Sequence, residues 1–473
     1  MKKVVIIGAG PTGLAAAYEL VKRHEGEVEV VVVERNEHVG GWLRTSEEEM
    51  LSEQGPRAFR SAGAGGYTLQ LVCEMGLEDE LIPAEGSAAK RFVYVDGGMH
   101  QVTLWWIVKE IGLRKLFREF MNWIPQPADP FTETVSDFFA RHFGDSMRAV
   151  CQCIVSGVFA GDASRLSIAD SFPPIFQMQQ ACGSLIWAGI KSLFGLYMTP
   201  SPIPITKQVA ALQKKPLYNF KRGMRMLPAG LHNAIKDKVT IRRDMLVVGL
   251  GVHPTSVKLV TGEVIECDHV ISTISPYYLS PMLSRLQGAP EVCDLQRVLA
   301  SIPHADLTLV NVMGNTDSIQ IPKNLRGFGF LVHDGDILGA TMDSCTFPQQ
   351  YDGVLYKGKQ AVAITVMMGG ETKTKAWTKK LDAPANARSA LEKYAGITLD
   401  ADNVIFKTTA VQNAIPQYIG GHAAKIAEVK KTLKPYNFSI AGMGTSGIGV
   451  NDCLLSGLHA VENLEAEGFF KTA

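Results

Sequence analysis

The stretch KKVVIIGAGPTGLAAAYEL, residues 2–20, constrains this chain more than any other. Val4 to Ile7 read as a buried strand, followed by a glycine turn and an alanine-rich helix that can pack close to a sheet. In the turn, Gly8 permits the tight bend, Gly10 lets a pyrophosphate approach the backbone, and Gly13 lets helix meet strand. Ala9, Pro11 and Thr12 complete a segment that points a helix N-terminus at phosphate. Glycine spacing alone is weak evidence. A second apolar strand, VEVVVVE, ends at Glu34, about 20 residues beyond the last glycine, where an acid that binds a ribose belongs. That order fits NAD or FAD, the alternative being a glycine turn in another α/β protein with a surface glutamate.

The segment after Glu34 begins to separate the two dinucleotides. In ERNEHVGGWLRT, Gly40 and Gly41 allow a backbone approach that a side chain would block, so a larger cofactor can pass. SEQGPRAFR then supplies Glu53, Gly55, Pro56, Arg57 and Arg60, a rigid turn with two cations suited to a phosphate or a flavin edge. A surface salt bridge is the plainer reading of Arg57. Near the end, YNFSIAGMGTSGIGVNDCLLSGLHAVENL repeats strand, glycine turn and helix: Phe438 to Gly442, then Gly444, Gly447 and Gly449, then a helix from about Asn451 with Asn451 or Asp452 as its cap. Such a helix end suits the negative charge of a reduced flavin ring. Cys453 reads as a small buried residue.

Between these ends, residues 239–273 read as successive strands with a turn at Thr261 and Gly262. Gly249 and Gly251 are not followed by a helix, so no second dinucleotide fingerprint is present and an oxidase is favoured over a reductase.

Lys and Arg together number 47, as do Asp and Glu, so nothing draws the chain to nucleic acid. The eight cysteines form no CxxC pair and no zinc-like spacing, so reduced thiols and no metal are expected. A strand begins almost at once, which leaves no room for a cleavable signal. The longest apolar stretch, residues 185–198, contains a lysine and is shorter than the roughly 20 residues a bilayer requires.

The middle of the chain reads as a place for an apolar ligand. KRFVYVDGGMHQV alternates as a strand with a turn at Asp96, Gly97 and Gly98; Arg91 opens it as either an edge charge or a carboxylate anchor. Residues 103–124 have a helical pattern mixing Trp105, Trp106, Phe117, Phe120 and Trp123 with Lys109, Arg114, Lys115 and Arg118, which fits a membrane interface or a core-facing helix. Leu331, Met367 and Met368 lie in apolar strands that could line a ligand or form ordinary core.

The blocks GAGPTGLAAAYEL, VGGWLR, GPRAFR, RFVYVDG, GVFAGDASRLSI, GFGFLV, ITVMMGG, IPQYIGGH and GIGVNDCLLSG together resemble the flavin-dependent protoporphyrinogen oxidases, within the amine oxidase-like flavoproteins. The resemblance implies an α/β fold: a discontinuous Rossmann-like FAD domain (1–87, 228–280, 405–473), a mixed-sheet substrate domain (88–103, 281–404) and a helical membrane-associated insertion (104–227). It implies one noncovalent FAD held by Gly8, Ala9, Gly10, Pro11, Thr12, Gly13, Glu34, Trp42, Gly55, Pro56, Arg57, Ala58, Val247, Met443, Ile448, Gly449 and Val450. Arg91 matches the family's propionate anchor, and Gly161, Leu331 and Met367 match positions around the macrocycle. The implied activity is six-electron oxidation of protoporphyrinogen IX by O2, the penultimate step of heme synthesis, by hydride removal to the flavin repeated three times, with H2O2 as product. A peripheral position on the mitochondrial inner membrane, or on a bacterial cytoplasmic membrane or in the cytoplasm, and a homodimer are further expectations. One departure is that Thr445 and Ser446 stand where many relatives carry an aromatic. No protein base is evident; His422 reads as structural. An amine oxidase, a polyene desaturase or an FAD-bearing interaction protein are the alternatives, although Met443 to Gly449 lacks the cysteine of a covalent amine oxidase.

Overall fold

The computed structural model describes residues 1–122, 129, 131–193, 203–283, 289–371 and 382–470. The chain divides into two compact units: Met1–Pro83 with Ser201–Pro303 and Ala423–Ala473, and Ala84–Pro200 with His304–His422.

The first unit is built on a five-stranded parallel sheet. Its order is Thr240–Arg242, Val28–Val33, Lys2–Ile7, His269–Ser272, Phe438–Ile440. Val4 pairs with Val30 on one side and His269 on the other. The near-continuous Val and Ile runs are what a parallel strand covered on both faces requires. Val4, Val5 and Ile6 have no exposed surface, and each such side chain contributes roughly 1.5–3 kcal/mol by leaving water.

Helix Pro11–Arg23 starts on a proline and buries Ala15, Ala16 and Ala17 completely. Those small side chains let helix Val450–Ala466 cross it closely: a Cβ on Gly457 would fall 2.5 Å from the Thr12 carbonyl oxygen. Of the two caps expected for this last helix, Asp452 is the one that serves. Gly449 is the N-cap residue, its N–H donating to the Asp452 carboxylate at 3.1 Å. Asn451 is occupied elsewhere, accepting from the Thr68 hydroxyl and donating to the Arg60 carbonyl. Residues 247–266 form a separate antiparallel sheet that turns at Gly262, whose φ of 90° fits the expected turn.

The second unit carries an eight-stranded mixed sheet. Seven of its strands run in the order Ile405–Pro416, His304–Asn315, Lys359–Gly369, Gly339–Thr341, Gly329–Val332, Arg91–Val95, Gly98–Gln101, and Leu355–Tyr356 pairs with Lys359–Gly369. One face, with Phe92, Val310, Phe330, Ala340 and Val366, closes against helix Ala383–Ala395. The single helix expected over 103–124 is two, Leu104–Ile111 and Leu113–Met121. Gly112 between them has φ 80° and ψ 144°, an extended positive-φ conformation open to glycine that breaks the helical path. Trp123 and Ile124 lie outside the described residues, as do 194–198. Among the described residues no helix is long and apolar enough to cross a membrane.

Candidate cofactor and substrate sites

In the first unit the glycine turn is crowded in a way only glycine tolerates. A Cβ on Gly13 would lie 1.9 Å from the Gly8 carbonyl oxygen, and Gly8 itself has φ 102°. Glu34 is buried and fixes the same turn: one carboxylate oxygen accepts from the Ala9 N–H at 2.9 Å, the other from the Asn36 N–H and amide at 2.9 and 2.7 Å. The acid expected to hold a ribose therefore also organises the phosphate loop.

The separated segments meet there. A Cβ on Gly41 would be 3.1 Å from the Gly10 Cα, and the Gly40 N–H donates to the Ala9 carbonyl at 2.8 Å. A Cβ on Gly55 would strike the Trp42 carbonyl oxygen at 2.0 Å. A Cβ on Gly442 would reach the Thr12 hydroxyl at 3.1 Å, which seats the last glycine turn on the first helix. Pro56, Arg57 and Ala58 are half-buried, and the Arg57 guanidinium donates to the Gly55 carbonyl at 3.2 Å. Met443 and Ile448 are half-buried and Val450 is buried. Val247 is buried at the start of strand Val247–Val252, beside a register shift.

These features fit a flavin dinucleotide. The helix Pro11–Arg23 has no side-chain cap at Gly10, so its first N–H groups are left for a phosphate, and the glycines keep a backbone-lined cradle that side chains would fill. No cysteine stands in the final turn. Burial pushes the neighbouring Cys453 thiol up to about 12, so it is inert as a nucleophile near neutral pH.

Glu53 in this region carries no local sequence signal of its role. Glu53 is buried, accepting from the Met224 N–H at 2.8 Å, the Thr45 hydroxyl at 2.8 Å and the Asn219 amide at 3.3 Å. Burial pushes its carboxyl up to about 7; the hydrogen bonds from Met224 and Thr45, the Arg57 charge and the Asn219 amide oppose that shift. It ties the hairpin Thr45–Glu53, between Trp42 and Gly55, to the segment 219–224.

In the second unit, three of the four expected substrate residues share one face of the mixed sheet. Leu331 pairs with Gly339, which pairs with Met367, and on the other side Leu331 pairs with Val93, two residues from Arg91 on the same strand. Side chains alternate along a strand, so Arg91, Val93, Leu331 and Met367 point to the same side, away from helix Ala383–Ala395. Gly339 presents no side chain between Leu331 and Met367. Met368 projects to the opposite face and is core. Arg91 is exposed, its guanidinium 5.3 Å from the centre of the Phe328 ring. Helix Met147–Phe159 lies over this face, where a Cβ on Gly157 would meet the Leu331 side chain at 2.6 Å. The fourth residue, Gly161, follows that helix and is buried, and the preceding Ala160 packs with Met367. His422 is buried and stacked on Tyr418 with ring centres 3.9 Å apart, as a structural residue would be.

The chain belongs to the flavin-containing amine oxidoreductases, whose family model matches residues 11–464. Its relatives include porphyrinogen-oxidising enzymes. It is 31% identical to the protoporphyrinogen oxidases of Homo sapiens and Bos taurus, each comparison covering 97% of this chain and 97% of the relative. It is 25% identical to the coproporphyrinogen III oxidase of Bacillus subtilis, over 98% of this chain and 97% of that one. Among solved structures, a protein from Exiguobacterium matches with a TM-score of 0.74 at 20% identity, covering 98% of this chain and 99% of that one. The cyclohexylamine oxidase of Brevibacterium oxydans matches at 0.63 and 17%, covering 98% and 99%. These two share the fold.

Proposed function

We propose that the chain is an oxygen-dependent oxidase that takes protoporphyrinogen IX to protoporphyrin IX, a six-electron oxidation with H2O2 as the other product. The full-length similarity to protoporphyrinogen oxidases, 31% over 97% of both chains, carries the proposal. One noncovalent FAD would be held by the 8–13 turn, Glu34, Trp42, residues 55–58, Val247, Met443 and residues 448–450. Bound there, it would supply a two-electron acceptor that O2 can restore.

The protein's own contribution is position and charge. Arg91 would hold a propionate by charge-assisted hydrogen bonds, while Leu331, Met367 and Gly161 would hold the flat apolar macrocycle in one orientation. The proposed functional division is 1–87, 228–280 and 405–473 for cofactor, 88–103 and 281–404 for substrate, and 104–227 for membrane contact, with strand Ile405–Pro416 also completing the second unit's mixed sheet and Gly161 also serving the substrate. In that last part Trp105 and Phe117 are 73% and 66% exposed, and Leu104, Leu113, Phe120 and Met121 are exposed near Lys109, Arg114 and Arg118. This pattern supports a peripheral position on a membrane that dissolves the substrate, the mitochondrial inner membrane being the one proposed, with a homodimer as the working assembly.

The purified protein is expected to be yellow and to produce fluorescent protoporphyrin from protoporphyrinogen IX under air, with peroxide. Inertness with this substrate, or turnover of coproporphyrinogen III alone, overturns the assignment.

A further inference from the structure

Three successive carbonyls, those of Phe159, Ala160 and Gly161, are each held by a different stretch of the second unit. The Gln417 amide donates to the Phe159 carbonyl at 2.8 Å and to the Ile415 carbonyl at 3.0 Å. The Glu371 N–H donates to the Ala160 carbonyl at 2.8 Å. From helix Met147–Phe159, the Gln152 amide donates to the Gly161 carbonyl at 2.9 Å and to the Ser156 hydroxyl at 2.8 Å, while its oxygen accepts from the Ala163 N–H at 2.8 Å. The Arg165 guanidinium pairs with the Glu371 carboxylate and joins two of these stretches again.

The turn so held is one that an alanine does not readily adopt. Ala160 has φ 49° and ψ 32°, the left-handed conformation in which glycine usually ends a helix. A side chain persists there only where the surroundings over-determine the backbone, and such places concentrate at ligand clamps. Gln417 has no exposed surface, and its amide oxygen has no hydrogen-bond partner among the described residues. That oxygen is pressed on Gly161 instead: a Cβ there would come within 2.3 Å of it.

We propose that Gln152 and Gln417 are positioning residues for the oxidation, holding the Phe159 and Gly161 carbonyls on either side of the Ala160–Gly161 peptide so that a rigid tetrapyrrole meets a preset backbone. The inference rests on the reading of Gly161 as a substrate contact. A loop ordered in advance costs less to dock against than one ordered by the ligand, so the clamp acts on substrate binding. Neither glutamine touches the reacting atoms.

Gln152→Glu isolates the contact that matters, because an ionised carboxylate accepts from the Ala163 N–H yet cannot donate to the Gly161 carbonyl. In the flavin-loaded enzyme at pH 8 its KM for protoporphyrinogen is expected to rise about fivefold, the worth of one hydrogen bond, with kcat within about twofold of the parent. Lowering the pH protonates the carboxyl, restores a donor and returns KM toward the parent value, a rescue that general loosening of the fold does not produce. A KM equal to the parent's at pH 8, or a loss confined to kcat, overturns the inference. Should the variant not hold FAD, Gln152→Met, uncharged and of similar length, is expected to show the same rise in KM, and a parent-like KM overturns the clamp. Gly161→Ala tests both layers together, because its Cβ would also press on the Gln417 amide oxygen. If its KM is unchanged, Gly161 is not a contact and both readings fall. If it rises while the loaded Gln152 variant keeps the parent KM, the clamp alone falls.

Discussion

The Cα of Gly10 lies so close to Gly41 that a Cβ on Gly41 would sit 3.1 Å from it, and Gly41 itself has φ 56°. Gly41→Val adds a β-branched side chain in a left-handed conformation and fills the approach to the phosphate turn. We expect the flavin affinity to fall at least about tenfold, equivalent to about 1.4 kcal/mol, and the purified protein to carry less flavin by absorbance. Full flavin content would remove Gly41 from the site.

Arg91→Ala removes the cation on the face shared with Leu331 and Met367. Hydrogen bonds to charged groups are worth about 1.5–3 kcal/mol, so KM for protoporphyrinogen is expected to rise about tenfold to a hundredfold with a smaller change in kcat. Arg91→Lys keeps the charge without the planar fork and should fall between. Steady-state kinetics decides, and an unchanged KM means that Arg91 anchors no propionate.

Glu53 gives the fold a pH dependence of definite sign. Its carboxyl titrates at about 7 in the fold against an ordinary value of 4.5, so the unfolded chain releases this proton first. This residue's contribution to stability is unaffected below about pH 4.5, declines as the pH rises toward 7 and is level above, by about 3 kcal/mol in all. Glu53→Gln cannot ionise, so its stability relative to the parent should improve across that window. Parallel denaturant titrations at pH 5 and pH 8 measure the change, and a constant difference contradicts it.

His142 and Glu119 form a buried pair at 2.9 Å, and the second Glu119 oxygen accepts from the Leu185 N–H, so three helices of the aromatic region are joined. Removing His142 leaves a buried Glu119 oxygen without its hydrogen bond, at about 1–3 kcal/mol. His142→Ala should therefore lower the melting temperature while leaving flavin content in surviving protein unchanged. An unaltered melting temperature would show the pair to be dispensable.

Leu113→Asp with Phe117→Asp places two charges on the exposed apolar side of helix Leu113–Met121. Flotation of the parent with liposomes and failure of the variant to float is the expected pair of results. A parent that stays at the bottom of the gradient ends the membrane proposal.

How much of the site could be read in advance depended on how local the physical reason was. Gly8, Gly10 and Gly13 are needed by one short turn, and Gly112 interrupts a helical pattern at a single position, a breaker signal that the sequence itself carries. Glu53 has no such signal because Asn219 and the Met224 N–H reach it only after folding, and Gln152 has none because its partners are mostly backbone groups of the turn after its helix, which carry no residue-specific mark. Met367 and Met368 share one apolar strand pattern, yet adjacent residues on a strand face opposite sides, and the pairing of Gly339 with Met367 assigns the faces.

The amino-acid sequence by itself determined a dinucleotide-binding start, a second glycine turn near residue 447 and the family, because each rests on residues close together or on blocks matched along the chain. The tertiary structure alone decided that Gly442 settles on Thr12, that Glu34 braces the turn it serves, and that Arg91, Leu331 and Met367 share a face. Those relationships are fixed by strand order and register, and register is set by which side of every strand can be buried at once, a condition no single segment carries.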